Sequence, residues 1–454
     1  MTHIVVLGGG ITGLVAAREA TLAGAEVTIV DPGRLGGKLQ TTAFDGGVLD
    51  ESADAFLARV PEGVDLCREL GLDGDLVSPA ERRAHVWSRG ELRPLPRAQL
   101  LGVPTDLDEL AASGIVSADG VTAARHDLEV PLVAPDRDVT IGSLIRYRLG
   151  HEVAERLVDP LIGGINAGDT DALSLAATVP QLDAAARSGA PSLIEACQAQ
   201  QAAVVDRSAP VFFAPRGGMG ALPEALAADL SAHGTAVRVA AAHAIERDGT
   251  RWRVKLDDGS LTADAVVVAT PAPVAAEVLR TSAGRVATLL AAIPHASVVM
   301  VSLAVERGAI ERELDGSGFL VPRVEGLTVT ACSWTSAKWP HLAGDGTVWL
   351  RASVGRDGAA PHGPVEAIVL RDLERTMALR GRPREVRVSE WPESLPQYRP
   401  GHLERVDALD AELAATAPTL AVAGAALRGL GVPACIRQGR AAAVRVLAAL
   451  DGAS

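Results

Sequence analysis

The stretch IVVLGGGITGLVAAREATLAGAEVTIVD, residues 4–31, constrains the fold of this chain more than any other part of its sequence. Residues 4–7 form a short apolar run, which is typical of a buried parallel strand. Gly8, Gly10 and Gly13 follow with G-x-G-x-x-G spacing, and a helical pattern comes after them. This order of strand, glycine turn and helix predicts an α/β module that binds a nucleotide.

The residues after the glycine turn indicate how a nucleotide would be held. A helix that starts near Thr12 would point its free amides and the positive end of its dipole at a diphosphate. Residues 26–30 read as a second strand that ends at Asp31, and an acid there can accept hydrogen bonds from a ribose. The alternative interpretation is a structural glycine turn in an α/β fold without a nucleotide.

The next segment indicates which nucleotide the module binds. Arg34, Gly36, Gly37 and Lys38 place a glycine pair and two cations directly after Asp31, where the chain would cross back over a diphosphate. This arrangement resembles FAD enzymes of the amine-oxidase-like superfamily more than nicotinamide dehydrogenases. The alternative is a solvated basic turn.

Composition excludes several classes of function. The net charge of −13 argues against a nucleic-acid partner. The four cysteines are far apart and indicate free thiols in a reducing compartment, and no secretory signal or membrane-spanning apolar run is present. We therefore expect a cytoplasmic enzyme. The histidines lack metal-ligand spacing and no G-x-S-x-G motif occurs, so we expect neither a metal site nor a hydrolase.

Changes of pattern along the chain predict three units. Strand and helix patterns predict a discontinuous nucleotide-binding domain, an α+β substrate-binding domain, and a helical insertion that covers a substrate cavity as a lid. The nucleotide-binding domain comprises residues 1–76, 211–284 and 399–454, the substrate-binding domain residues 77–95 and 285–398, and the insertion residues 96–210.

Three local patterns give sharper expectations. The alternation in residues 84–95 predicts a hairpin with Gly90 at its turn. A helix is predicted within residues 140–161, with Thr140 and Ser143 as candidate N-caps. The last helix is predicted over residues 437–450, after a glycine-rich crossing that could direct a helix N-terminus at the cofactor.

Several stretches spread over nearly the whole chain together resemble one family, the oxygen-dependent porphyrinogen oxidases, and the bacterial coproporphyrinogen III oxidases in particular. They are GGGITGL from Gly8, RLGGKLQT from Arg34, LIGGINAGDTDALSL from Leu161, TACSWTSAKWPH from Thr330, LPQYRPGHLERV from Leu395 and AGAALRGLGVPACI from Ala423. The first two occur across the flavin amine oxidase superfamily, and the other four are more specific.

The resemblance implies a two-dinucleotide-binding (Rossmann-like) FAD fold of α/β and α+β type, with non-covalent FAD. It implies six-electron oxidation of coproporphyrinogen III to coproporphyrin III in haem biosynthesis, with oxygen as acceptor and hydrogen peroxide as product. Because the flavin performs the chemistry, no catalytic side chain is expected. The implied FAD contacts are Gly8, Gly9, Gly10, Ile11, Thr12, Gly13, Asp31, Pro32, Arg34, Gly37, Lys38, Ser52, Ala53, Asp54, Ala55, Ala244, Trp391, Gly431, Val432 and Pro433.

The chain departs from the family pattern at several positions. The family usually has glutamate at the position of Asp31, Gly-Pro-Asp-Ser at residues 52–55, and often tyrosine where this chain has Asn166. Its Pro-Asp-Cys is Pro433-Ala434-Cys435 here. The loss of a glycine at residue 52 bears on how the backbone meets the flavin ring.

Coproporphyrinogen carries four propionates, so cations are expected in the substrate cavity. The candidates are Arg59, Arg97, Lys338 and Arg351. Oxygen is the expected second substrate, and transient contact with a downstream haem-pathway enzyme is expected. Three alternatives remain open: protoporphyrinogen IX as substrate, an amine oxidase or carotenoid desaturase on the same fold, and a flavin-binding scaffold without turnover. Tyr147 and Tyr398 are the only tyrosines, which disfavours the aromatic cage of an amine oxidase.

Overall fold

The computed structural model describes residues 2–204, 206, 209–342, 344, 346–360 and 362–452. The outer limits of the predicted nucleotide-binding domain, residues 1, 453 and 454, lie outside these ranges.

The described residues form 22 strands and 17 α-helices, in runs of strands and runs of helices along the chain. The strands are β1 (His3–Leu7), β2 (Glu26–Asp31), β3 (Thr41–Phe44), β4 (Gly47–Asp50), β5 (Phe56–Leu57), β6 (Leu76–Val77), β7 (Ala84–Ser88), β8 (Glu91–Pro94), β9 (Gln99–Leu100), β10 (Val103–Pro104), β11 (Phe212–Pro215), β12 (Ala236–Val239), β13 (Ala242–Asp248), β14 (Arg251–Leu256), β15 (Gly259–Ala263), β16 (Ala265–Val268), β17 (His295–Glu306), β18 (Gly318–Leu320), β19 (Val329–Trp334), β20 (Thr347–Val354), β21 (Glu385–Pro396) and β22 (Leu420–Val422). The α-helices are α1 (Ile11–Leu22), α2 (Pro61–Glu69), α3 (Leu107–Ser113), α4 (Ala118–Arg125), α5 (Ile141–Leu149), α6 (His151–Val153), α7 (Gly164–Asn166), α8 (Leu175–Thr178), α9 (Pro180–Ala186), α10 (Leu193–Ala202), α11 (Ala221–Ala232), α12 (Ala272–Leu279), α13 (Gly284–Ala291), α14 (Thr335–Lys338), α15 (Val365–Met377), α16 (His402–Thr416) and α17 (Val432–Asp451). A π-helical stretch, Ala154–Gly163, follows α6.

A parallel sheet with strand order β12-β2-β1-β16-β22 forms the nucleotide-binding core. Its central strands are apolar and buried because helices cover both faces of the sheet. The strands come from three separated parts of the chain, and the predicted α/β architecture is confirmed. The carboxyl ends of these strands meet at one edge, which is where ligands bind in open parallel sheets.

A second sheet has the order β21-β17-β20-β19-β18-β7-β8, and its pairs are antiparallel except for β18 with β7. The predicted hairpin of residues 84–95 is present as β7 and β8. One face of the sheet packs its apolar side chains against α15. The other face carries Trp349, which packs edge-on against Phe44 of the hairpin formed by β3 and β4. This second face is therefore turned towards the nucleotide-binding core.

The helical insertion contains α3 to α10 and encloses an apolar cluster of its own. Thr140 caps α5, because its side chain accepts a hydrogen bond from the backbone N–H of Ser143. The prediction of Ser143 as a cap is wrong, since its hydroxyl donates to the Thr140 carbonyl from inside the first turn. A local pattern of two small hydroxyl residues does not distinguish the cap from the turn that follows it.

The last helix, α17, begins at Val432, five residues before the predicted start at residue 437. Pro433 does not interrupt it, because a proline in the first turn removes only an amide that has no partner within the helix. The glycine-rich crossing is therefore shorter than predicted, and it ends at Gly431, the N-cap of the helix. Within the described ranges, no helix combines the length and the apolarity that crossing a membrane requires.

Helices α1 and α17 are in direct backbone contact. A Cβ atom on Gly439 of α17 would overlap the Thr12 carbonyl oxygen of α1 and lie 3.2 Å from Cβ of Val15. A Cβ atom on Gly13 would likewise overlap the Gly8 carbonyl oxygen. Both positions exclude any side chain, so Gly439 sets how closely α17 approaches α1, and Gly13 sets how closely α1 approaches the glycine turn.

We predict that Gly439→Ala destabilises the protein by about 1–3 kcal/mol, because the methyl group forces α17 away from α1. Thermal unfolding should show a lower Tm than the wild type. Gly284→Ala is the matched control, since a Cβ atom on Gly284 of α13 meets nothing within 4 Å. An unchanged Tm for Gly439→Ala would contradict the tight contact.

Candidate active site at the carboxyl edge of the parallel sheet

Two helix N-termini meet at the carboxyl edge of the parallel sheet. Helix α1 follows β1, and α17 follows β22, so both helices start at the same edge. Their N-cap residues are Gly10 and Gly431, and no side chain caps either helix. The free amides at both ends, together with the helix dipoles, suit a diphosphate.

The backbone around the glycine turn leaves room for such a ligand. A Cβ atom on Gly10 would meet nothing within 4 Å, so the chain borders open space there. Three buried polar atoms nearby in the fold have no hydrogen-bond partner among the described residues: the hydroxyls of Thr270 and Ser394 and Nε of Arg351. Since buried polar atoms normally have partners, these atoms fit a site that a polar cofactor completes.

Asp31 ends β2 at the same edge. Its carboxylate accepts hydrogen bonds from the backbone N–H groups of Gly9 (2.6 Å) and Gly33 (2.8 Å). These bonds orient the acid beside the glycine turn and leave lone pairs for ribose hydroxyls. Pro32, next in the chain, is exposed.

The loop after Asp31 crosses the glycine turn as predicted from the sequence. The Gly36 amide donates to the Gly9 carbonyl at 2.7 Å, and Gly37 adopts a left-handed φ of 58° above Gly10. Lys38 is largely buried, its ammonium donates to the Ser394 carbonyl, and burial lowers its pKa. This loop therefore contributes one cation, Lys38, to the inside of the fold.

The other cation of this loop has a different place. Arg34 is exposed and pairs with Glu224, which is also exposed. The structure therefore brings Lys38 to the site and leaves Arg34 at the surface, where its ion pair contributes little.

The turn of residues 52–55 lies against two cations. Arg351 is in β20 of the second sheet, and Lys338 ends α14, which follows β19. Lys338 donates to Asp54 at 2.8 Å, and Arg351 lies 3.7 Å from the same carboxylate. Trp339 also donates to Asp54, at 3.3 Å. Burial raises the pKa of Asp54, but the two cations outweigh burial and hold the pKa below its usual range. Two positive charges thus share one carboxylate.

Trp391 and Ala244 occupy two further predicted positions. The indole N–H of Trp391 donates to the Glu51 carbonyl at 3.0 Å, which places the ring beside the turn of residues 52–55. Ala244 is half-buried at a bulge in β13. Four residues earlier in the chain, the Ala240 amide donates to the Asp31 carbonyl. Trp391 therefore lies beside the turn of residues 52–55, and Ala244 lies on the Asp31 side of the predicted site.

Comparison with known proteins agrees with this geometry. The family model for flavin containing amine oxidoreductases matches residues 11–447. A coproporphyrinogen III oxidase of Bacillus subtilis is 34% identical over 469 residues, 97% of each chain. A protoporphyrinogen oxidase of Bos taurus is 30% identical over 481 residues, 98% of each chain. A solved structure from Exiguobacterium sp. 255-15, provisionally named a protoporphyrinogen oxidase, has a TM-score of 0.88 at 31% identity, with 98% of both chains covered.

The chain belongs to the flavin containing amine oxidoreductases. It is an FAD-dependent oxidoreductase, and the resemblance to the porphyrinogen oxidases seen in its motifs is confirmed. The uncapped helix ends, the open space at Gly10 and the unpartnered polar atoms fit FAD at the carboxyl edge. The individual FAD contacts stay predictions.

The candidate substrate cations divide into two groups. Arg351 is buried, Lys338 is half-buried, and both converge on Asp54. Arg59 and Arg97 are exposed, and the backbone amide of Arg97 is bonded to Glu109 at the edge of the insertion. The structure therefore supports the first pair as part of the site and leaves the second pair at the surface.

Asp50 is a buried residue of the site that the sequence did not single out. It accepts hydrogen bonds from the Thr41 hydroxyl (2.5 Å) and the Met219 amide (2.8 Å), and its backbone carbonyl accepts from Arg351 at 3.0 Å. It therefore holds the glycine turn before α11 against the β3–β4 hairpin. The only signal in the sequence was an acid placed at an inward position of a short strand.

We predict that Asp50 makes stability depend on pH. Burial raises its pKa from 3.8 to about 6, so the folded protein binds this proton more tightly than the unfolded chain does. Its contribution to stability is therefore largest near pH 4, decreases as the pH rises to about 6, and is then constant. Asp50→Asn removes this component, on the order of 2 kcal/mol. The Tm of the variant relative to wild type should be higher at pH 7.5 than at pH 5.

Asp257→Asn, at an exposed turn, is the control and should show the same offset at both pH values. An Asp50→Asn offset that does not change with pH would contradict the raised pKa.

Proposed function

We propose that the chain oxidises coproporphyrinogen III to coproporphyrin III in haem biosynthesis. Bound FAD supplies the electron acceptor, and three two-electron rounds with three oxygen molecules give the porphyrin and three molecules of hydrogen peroxide. The chain's own residues bind FAD non-covalently, orient the porphyrinogen and exclude water. Loss of hydride and protons leads to an aromatic product, so no nucleophile or metal is required of the protein.

The single observation that carries the proposal is the pair of cations, Lys338 and Arg351, at the turn of residues 52–55, of which Arg351 has an N–H group without a partner in the described part of the chain. Lys338 and Arg351 share Asp54, and Nε of Arg351 has no partner among the described residues although the side chain is only 9% exposed. A buried N–H donor without a partner is costly, and a carboxylate of the substrate would accept its hydrogen bond. Propionates are the carboxylates that a coproporphyrinogen offers.

The register of the second sheet supports the same position for the substrate. Arg351 of β20 pairs with Ser302 of β17 and with Ser333 of β19, so these residues share the face that is turned towards the FAD module. Met300 and Ser353 continue this face. Since the opposite face is packed against α15, the polar face is the one available to a substrate.

Protoporphyrinogen IX, which has two propionates and two vinyl groups, is the second candidate substrate. The similarity to a protoporphyrinogen oxidase over 98% of both chains favours it. A substrate with two propionates needs fewer cations than one with four. Loss of one cation should therefore change KM by different amounts for the two substrates, which distinguishes them.

An amine oxidase function is less well supported because its usual aromatic cage cannot be built from tyrosines here. Tyr398 is only 3% exposed and its hydroxyl is bonded to the backbone, whereas Tyr147 is 68% exposed on α5. Neither ring is free to frame an amine beside the flavin. A scaffold that binds flavin without turnover is the remaining alternative.

The first test is anaerobic mixing of the purified holoenzyme with coproporphyrinogen III. We expect the flavin absorbance to bleach, because hydride leaves the substrate when no oxygen is present. Admission of oxygen should restore the absorbance and produce porphyrin fluorescence. A flavin that stays oxidised with both coproporphyrinogen III and protoporphyrinogen IX would contradict the proposal and favour the scaffold.

The second test is Lys338→Gln. Loss of this cation should raise KM for coproporphyrinogen III about 10-fold, because one charge-assisted bond of about 1.4 kcal/mol is removed. KM for protoporphyrinogen IX should change less. Lys255→Gln is the control, because Lys255 is exposed on β14 and pairs with Glu246. Unchanged KM values for Lys338→Gln would show that Lys338 does not contact the propionates.

A further inference from the structure

The crossing of residues 424–431 connects β22 to α17 and ends at the N-terminus of α17, where FAD contacts are predicted at residues 431–433. The crossing has little internal hydrogen bonding: the Leu427 amide donates to the Gly424 carbonyl at 3.1 Å. Gly424 and Gly429 adopt φ values of 137° and 116°, which favour glycine. A segment of this kind depends on contacts from outside to keep one conformation.

Tyr398 supplies two of these contacts. Its hydroxyl donates to the Ala425 carbonyl and accepts from the Gly429 amide at 3.0 Å. One buried hydroxyl thus connects two points of the crossing that are four residues apart in sequence. Removal of the hydroxyl leaves both backbone groups without this partner in a buried place.

Gln438 of α17 also bonds the crossing, at the Arg428 amide and the Gly429 carbonyl, and His402 supplies a further contact at Leu427. Nε2 of His402 lies 2.7 Å from the Leu427 carbonyl oxygen, and the imidazole is fully buried. Because a carbonyl only accepts, Nε2 carries the hydrogen and acts as the donor. Nδ1 has no partner in the described part of the chain. The imidazole ring stacks on Tyr398 with centroids 4.1 Å apart and planes 20° apart, so each ring fixes the orientation of the other.

Tyr398 and His402 belong to one segment, residues 397–402, which we call the strap. The strap is also hydrogen-bonded to the helical insertion, on the side away from the crossing. The Ser174 amide donates to the Tyr398 carbonyl at 2.7 Å, and the Gln397 side chain donates to the Asn166 carbonyl at 2.9 Å. The Gly401 amide donates to Asp138 at 3.1 Å. The strap is therefore held between the insertion and the crossing, and it has a fixed position from which to act.

We propose that Tyr398 and His402 are positioning residues that hold the crossing of residues 424–431 in the conformation that FAD requires. Neither side chain touches the reacting atoms, and both act through the backbone of the crossing. The inference rests on the FAD contacts proposed for residues 431–433 and does not depend on which porphyrinogen is oxidised.

The test is Tyr398→Phe, which keeps the ring stack and removes the hydroxyl alone. The Kd of FAD for the purified apoprotein, measured by quenching of flavin fluorescence, should rise about 5- to 30-fold, because two buried backbone groups lose their partner. The visible spectrum and the midpoint potential of the bound flavin should also shift, which a loss of general stability would not cause. Tyr147→Phe is the matched control, since Tyr147 is the only other tyrosine and is exposed.

A pair of variants at His402 tests the hydrogen bond from its Nε2–H to the Leu427 carbonyl separately. His402→Gln keeps an N–H donor that reaches the Leu427 carbonyl, and His402→Leu has a similar volume without a donor. We expect His402→Gln to bind FAD within about threefold of wild type and His402→Leu to bind several-fold more weakly than His402→Gln. Equal losses in the two variants would overturn the role of the donor.

The outcomes remain decisive if one variant does not fold. FAD affinity and flavin spectrum unchanged in Tyr398→Phe would overturn the proposal even if its Tm falls, because only a structural role would remain. If Tyr398→Phe is insoluble, the comparison of His402→Gln with His402→Leu decides. All readouts use FAD alone, so failure of this proposal is distinguishable from failure of the porphyrinogen assignment.

Discussion

Backbone contact between α1, α17 and the glycine turn is the constraint on which the rest of the molecule depends. Gly13 and Gly439 leave no space for a side chain, so the two helices lie against each other and against the ends of the parallel strands. Their N-termini consequently open at one edge without side-chain caps. The close packing that stabilises the core therefore also creates the site with affinity for an anion.

The charge around the cofactor edge is opposite in sign to the net charge of the chain. The protein is strongly acidic, yet the buried Arg351 and the half-buried Lys38 and Lys338 lie around the cofactor edge. Asp54 comes from the turn of residues 52–55, whereas its two cations come from or follow the strands of the second sheet, so their attraction connects the two halves of the site. A buried network of this type is sensitive to the loss of any member, because an unpaired charge would remain inside.

The sequence predicted those parts of the structure that depend on local pattern. Strands β1 and β2, the glycine turn and the hairpin of β7 and β8 follow from apolar runs, alternation and turn residues, and they are present. The predicted start of α17 was wrong because, in sequence, a proline tolerated in a first turn looks like a proline that precedes a helix. The Ser143 cap was wrong because a hydroxyl residue at the cap and one inside the first turn look alike. The four candidate substrate cations were equivalent in sequence. Only folding separated the buried Arg351 and the half-buried Lys338 from the exposed Arg59 and Arg97.

The sequence by itself determined the first strand, glycine turn and helix of the nucleotide-binding module, the flavin family and the identity of the residues around the glycine turn. These depend on contacts between neighbours along the chain and on motifs that occur in one piece. Only the tertiary structure decided that Asp54 faces two cations, that Asp50 is buried, and that Tyr398 and His402 hold the crossing before α17. In each case the partners are far apart in sequence, and long-range packing alone sets burial and distance.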